Sequence, residues 1–210
     1  MTFHWGIIGC GDISRRSVAP AIHSHDNSKL VAASRKNQAL QLDCARNLGL
    51  KTVYADWQEM VRQDNLDAIY VATPVFLHCE MVQAAANAGK HVLCEKPMAM
   101  TTGECKRMID ACHANHVHLG IAYYRHFFPV IDRIKSLIAS NAIGDVLLIQ
   151  INAFETFLPD KDHPRHWIME THKSGGGCLM DFGCHRIEIL LNLLGDIRPV
   201  SYTHLRAHET

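Results

Sequence analysis

Up to about residue 121, short apolar runs alternate with amphipathic stretches of helical period. The runs predict strands over 3–8, 30–33, 68–72, 91–94 and 117–121. Each is continuously apolar rather than alternating, as parallel strands buried on both faces should be. The stretch 37–48 places Leu40, Cys44 and Leu48 four apart, with Gly49 as a stop. A second helix is predicted over 76–88, ending at Gly89. A third, over 101–115, opens on Thr101-Thr102 as a cap and aligns Cys105, Met108, Ile109 and Cys112. Strand–helix alternation of this kind implies an α/β fold built on a doubly wound parallel sheet.

Beyond residue 121 the rhythm changes. A helix is predicted over 125–140, one long strand over 145–157 and a loop over 158–173. Gly175-Gly176-Gly177 then opens an apolar helix ending near Leu194-Gly195. One strand and two helices cannot cover one another, so this part is expected to be the incomplete start of a second α/β domain.

Charge and composition narrow the field. Lys plus Arg and Asp plus Glu both total 21, so no net field favours nucleic acid or an anionic membrane. With 48% hydrophobic residues the chain can fill a core, yet it has no apolar run of membrane-spanning length and no signal-peptide pattern at its start. A cytoplasmic location is expected, and with it reduced thiols for Cys10, Cys44, Cys79, Cys94, Cys105, Cys112, Cys178 and Cys184. The cluster Cys112, His113, His116 and His118 lacks a recognised ligand spacing, and no metal is expected there.

Four short motifs carry candidate chemistry. Gly9-Cys10-Gly11-Asp12-Ile13-Ser14 lies between a predicted strand and a predicted helix. In a dinucleotide site Gly9 allows the tight turn, Gly11 lets backbone approach a pyrophosphate, and the small Ser14 lets helix pack on strand. The helix N-terminus would offer N–H groups to the phosphates. Roughly 20 residues on, an NAD-selective protein places Asp or Glu; this chain has Ser34-Arg35-Lys36, which suits a ribose 2′-phosphate. NADP(H) is therefore expected ahead of NAD(H), although Arg35 and Lys36 also read as plain loop residues. Ala72-Thr73-Pro74, with His78 beyond it, and Glu95-Lys96-Pro97 each end a predicted strand, the edge where open α/β sheets bind ligands. Finally, Asp181 and His185 stand four apart, on one face of a helix, among apolar neighbours. Either residue alone is more often structural; together they offer a proton acceptor titrating near neutrality and a carboxylate to orient it.

Taken together, WGIIGCGDIS, LDAIYVATPVFLH, AGKHVLCEKPMAM, YYRHFFP and SGGGCLMDFGCH resemble the glucose–fructose oxidoreductase/inositol dehydrogenase (Gfo/Idh/MocA) family, from Phe3 to about Arg198. The resemblance implies a Rossmann domain over 1–122 and a substrate and oligomerisation domain with an open-faced sheet, of which 123–198 would be the truncated start. It implies Lys96, Asp181 and His185 as the catalytic group, with Gly9, Gly11, Asp12, Ile13, Ser34, Arg35, Lys36, Thr73, Pro74, His78, Glu95 and Lys96 toward the coenzyme and a cis Lys96-Pro97 bond. Ile168 stands where many members carry Arg, which puts a binding role at that position in doubt. The implied activity is hydride transfer between NADP(H) and a carbinol or carbonyl carbon of a sugar or cyclitol, in a homo-oligomer. An NAD-dependent glycosidase of the same fold and a non-catalytic nucleotide sensor are the alternatives.

The end of the chain, VSYTHLRAHET, fits none of these patterns. It back-translates into a string resembling a transposon-end sequencing adapter, so 199–210 are expected to be translated adapter and the natural C-terminus to be missing. His204 and His208 receive no functional weight.

Overall fold

The computed structural model describes residues 2–154, 156–177 and 179–196. Its frame is one six-stranded, wholly parallel sheet: β1 (Phe3–Ile8), β2 (Ser28–Ser34), β3 (Val53–Tyr54), β4 (Ala68–Val71), β5 (His91–Cys94) and β6 (Leu119–Ile121). The spatial order is β3-β2-β1-β4-β5-β6, the order of a dinucleotide-binding doubly wound sheet, with the switch point at the carboxyl ends of β1 and β4. Five of the six strands were predicted. The two-residue β3 was missed because a strand so short carries no period to read.

Helices cover both faces. On one side α1 (Ala19–Ser24) and α2 (Gln41–Leu48) bury Ile22, Cys44 and Leu48 against Ile7, Ala33 and Tyr70. On the other, α3 (Trp57–Val61), α4 (His78–Asn87) and α5 (Thr102–Ala114) bury Met60, Val82 and Met108 against Ile8, Ile69 and Val71. Ile7 and Ile8 thus feed opposite cores, which is why β1 is apolar at consecutive positions. Helix ends follow the expected chemistry. Thr101 caps α5 by accepting the Glu104 N–H, and Glu104 in turn accepts the Met100 N–H. Gly49 closes α2 in the left-handed region at φ 67°.

After β6 the chain forms a 3-10 turn (Tyr124–Phe127), α6 (Pro129–Ala139), a second 3-10 turn (His166–Met169), α7 (Thr171–Ser174), a wide π turn (Leu179–Gly183) and α8 (Cys184–Leu194). The strand expected over 145–157 is not formed by its described residues, which leave Leu147 and Phe154 almost fully exposed. A strand needs a neighbour to take its backbone hydrogen bonds, and no backbone–backbone bond among the described residues reaches 145–157. Glu155, Cys178 and the expected adapter segment lie outside the described residues.

The cysteine expectation is corrected: Cys10 and Cys44 form a disulfide, with their Cα atoms 6.0 Å apart. Cys10 sits in the loop after β1, and α2 turns its buried Cys44 toward that loop. That separation lies within the reach of a disulfide, and compartment arguments from composition do not see such proximity. Cys79, Cys94, Cys105, Cys112 and Cys184 carry free thiols. No helix among the described residues is long and apolar enough to cross a membrane.

Candidate active site

The glycine loop is built as a cradle. Gly9 has φ 97°, and a Cβ there would lie 2.7 Å from the Ala72 carbonyl oxygen, so only glycine lets β1 turn beside β4. A Cβ on Gly11 would meet nothing within 4 Å, so the protein leaves the space above that residue free. Ser14 is fully buried and donates its hydroxyl to the Gly9 carbonyl at 2.6 Å, pinning the first helical turn to the loop. Asp12 and Ile13 open that turn; Asp12 faces outward and pairs with Arg15 at 3.0 Å.

At the end of β2, Ser34 is buried and its carbonyl accepts the Gly9 N–H. Arg35 donates to the Cys10 carbonyl at 2.7 Å, which sets its guanidinium beside the glycine loop, and Lys36 is exposed next to it. These residues fit a dinucleotide: free space over Gly11, a helix start behind it, and two cations, Arg35 and Lys36, at the end of β2.

The two strand-end motifs are joined by His78. Its ring is buried, with Nε2 2.8 Å from the Thr73 carbonyl and Nδ1 3.1 Å from that of Pro97. Its two ring nitrogens face backbone carbonyls on either side, and the neutral ring donates to one of them, so His78 sits between Thr73-Pro74 and the cis Lys96-Pro97 bond. Burial lowers its pKa. Glu95 is likewise turned inward. One carboxylate oxygen accepts the Tyr70 hydroxyl at 2.6 Å, the other the Lys96 N–H at 3.2 Å. Burial, then this carboxylate, raises the Tyr70 pKa. His78 and Glu95 therefore shape the platform from within.

Lys96 leaves the end of β5 and crosses to the π turn. Its Nζ donates to Oδ1 of Asp181 and to the Asp181 carbonyl, both at 2.9 Å. His185 follows one turn later, at the start of α8, with 5% of its surface exposed. Tyr123 and Tyr124 present their rings edge-on to the imidazole, at centroid distances of 6.1 and 5.7 Å. Burial first, then the charges of Lys96, Arg125 and Arg186, push the His185 pKa down to about 4, with Asp181 opposing. The imidazole is thus neutral at pH 7, well below the near-neutral titration expected from sequence. Its Nδ1 is buried without a hydrogen-bond partner among the described residues.

The structure joins Lys96 to Asp181, 85 residues away in the chain, and the charges of both act on His185. Asp181 does not hydrogen-bond His185; its second oxygen takes a 2.8 Å bond from Arg165. Sequence reasoning missed Arg165 because it lies in a loop without periodicity, and attention fell on Ile168 instead. Ile168 is 2% exposed and anchors the 3-10 turn in the interior, while the guanidinium three residues earlier reaches the site.

A wholly parallel sheet of this order with a glycine cradle at its switch point defines a dinucleotide-binding protein. Residues 3–123 match the oxidoreductase family with an NAD-binding Rossmann fold, and 131–210 match the GFO/IDH/MocA C-terminal domain. The chain belongs to the Gfo/Idh/MocA oxidoreductase family. It is 34% identical over 191 residues to D-xylose 1-dehydrogenase (NADP(+)) 2 of Haloferax volcanii, covering 91% of this chain and 57% of that protein. Oxidoreductase P35 of Formosa agariphila is 31% identical over 199 residues, 94% of this chain and 62% of the relative. Among solved structures, the WlbA dehydrogenase of Bordetella pertussis, in complex with NADH and UDP-GlcNAcA, superposes with a TM-score of 0.81 at 27% identity, over 92% of this chain and 56% of that one. A levoglucosan dehydrogenase in complex with NADH and levoglucosan gives 0.77 at 28% identity, over 93% and 55%. The chain thus spans little more than half the length of these relatives.

Proposed function

We propose that the protein carrying this chain is an NAD(P)-dependent oxidoreductase acting on a CH–OH carbon of a sugar or cyclitol, with NADP(H) as its preferred coenzyme. The observation that carries the reading is the Lys96–Asp181 bond with the neutral, buried His185 beside it, at the carboxyl edge of the sheet. The coenzyme, held by Gly9, Gly11, Ser34, Arg35, Lys36 and Thr73-Pro74, supplies a hydride acceptor or donor.

The side chains divide the remaining work. In the oxidising direction His185, uncharged at neutral pH, takes the hydroxyl proton of the substrate as general base. Lys96, fixed by Asp181, directs its ammonium at the reacting oxygen and stabilises negative charge developing there. Asp181, with a cation on each oxygen, serves as an anchor for Lys96. Selective NADP(H) use rests on Arg35 and Lys36 and on the absence of an acidic residue at the end of β2.

Equilibrium binding of NADPH and NADH, followed by turnover of the full-length protein with a polyol and aldose panel, tests the proposal. Tighter NADPH binding and substrate-dependent change in nicotinamide absorbance are expected. Release of free sugar from an aryl glycoside without net absorbance change would replace this reading with the glycosidase one.

A further inference from the structure

We infer that Arg165 is a positioning residue of this site: it holds Asp181 between two cations, so that Lys96 keeps one carboxylate oxygen and the guanidinium keeps the other. The inference rests on the reading of Lys96, Asp181 and His185 as the reacting group and adds to it a fourth side chain.

The geometry is direct. Asp181 is about three-quarters buried, with 24% of its side chain exposed. Lys96 Nζ lies 2.9 Å from Oδ1 and Arg165 Nη2 lies 2.8 Å from Oδ2, two charge-assisted bonds on a single carboxylate. Arg165 is itself seated. Its guanidinium carbon lies 4.8 Å from the centroid of the Phe157 ring, and its backbone N–H donates to His163 Nδ1 at 3.1 Å. The next residue begins the 3-10 turn that Ile168 anchors in the interior. The loop that carries Arg165 is therefore fastened on both sides of the ion pair.

A purely structural salt bridge would be worth little here, because Arg165 is 53% exposed and water screens its side of the pair. What the contact changes is the field at the reacting atoms. With Arg165 present, the charge of Asp181 is compensated twice, and Lys96 and His185 feel less of it. Without it, Asp181 is compensated by Lys96 alone, His185 feels more of its charge, and the carboxylate is free to swing on Lys96. The groups acting on His185 are Lys96 from β5, Arg125 from the first 3-10 turn, and Asp181 and Arg186 from its own segment. Tyr123 and Tyr124 face its ring, and the His126–Glu188 pair, 2.6 Å apart, joins that 3-10 turn to α8. Removing a cation that neutralises Asp181 must favour the protonated imidazole and move its titration to higher pH.

The test uses Arg165→Ala and Arg165→Lys in the full-length protein, with kcat and KM measured against pH and the His185 imidazole titrated by NMR. Loss of a hydrogen bond to a charged group predicts a kcat lower by roughly tenfold to a hundredfold in Arg165→Ala, with KM changed less. The acid limb of the rate profile and the His185 midpoint should both rise. Added guanidinium should restore part of kcat. Arg165→Lys, which keeps the charge without the planar fork, should return the midpoint toward wild type. Thermal unfolding should hardly move. Wild-type kcat and an unmoved His185 midpoint in Arg165→Ala overturn the inference. A raised midpoint in a protein that, unmutated, turns over no polyol would overturn the proposed reaction and leave Arg165 in its place. Should Arg165→Ala fail to fold, Arg165→Gln, which keeps most of the side chain and loses the charge, decides: a kcat equal to wild type with no change in pH profile would sink the positioning role.

Discussion

Gly9 and Gly11 are two residues apart in one loop, yet the structure assigns them different work, and alanine at each separates the two. At Gly9 the substitution meets two obstacles. The backbone sits at φ 97°, where an L-residue is strained by about 1–3 kcal/mol. The new Cβ would also stand 2.7 Å from the Ala72 carbonyl oxygen and 3.2 Å from Thr73 Cγ2, and overpacking of that kind costs about 1–3 kcal/mol more. The obstacle is backbone of β4's end, so it cannot turn aside as a side-chain tip would. The sum, about 2–6 kcal/mol, is a large part of the 5–15 kcal/mol typical of folded proteins. At Gly11 the Cβ meets nothing within 4 Å, and stability should change by under about 1 kcal/mol. Yet that methyl group would occupy the space through which a pyrophosphate approaches the backbone. Urea unfolding and NADPH titration of both variants read this out. Gly9→Ala should lower the unfolding midpoint strongly, whereas Gly11→Ala should leave it near wild type and lose most NADPH affinity. Wild-type NADPH affinity in Gly11→Ala would refute the placement of the pyrophosphate.

Three further outcomes follow from the same geometry. Arg35→Ala with Lys36→Ala should weaken NADPH roughly tenfold to a hundredfold, as loss of bonds to a charged group does, and leave NADH nearly unchanged; equal losses for both nucleotides would place the 2′-phosphate elsewhere. Because burial and nearby cations push His185 down to about 4, oxidation should be insensitive to His185 protonation from neutral pH down toward 4 and fall below it. The unfolded chain binds that proton at a higher pH than the folded one, so the linked stability also drops as pH falls from the ordinary His range to about 4; His185→Gln should remove that part of the acid sensitivity measured by denaturant titration. Finally, alkylation and mass analysis of the unreduced protein should show Cys10 and Cys44 protected and joined, and Cys44→Ser should leave Cys10 free to react.

How far the sequence could be read depended on where each residue sat. The buried parallel strands were legible because Ile7 and Ile8 feed opposite cores and so leave a continuous apolar run. Cap and stop residues such as Thr101 and Gly49 were legible because their chemistry is local. Lys96, Asp181 and His185 were singled out by motif, and the fold brings them to one edge. Arg165 was not, since its partner is defined only when the loop folds back on the π turn. His78 and Glu95 were placed at the right edge, and the partners they take there, the Thr73 and Pro97 backbone and the Tyr70 hydroxyl, could not be read from sequence position. The strand expected over 145–157 failed for a different reason: β propensity is realised only against a neighbouring strand.

The most direct test of the account is hydride transfer by the full-length protein with and without its ammonium. With the best substrate of a polyol and aldose panel, the wild type should interconvert NADP(H), and Lys96→Ala should lower kcat by about a hundredfold to ten-thousandfold while NADPH binding is retained. Near-normal turnover in Lys96→Ala would contradict the reaction assigned to this site.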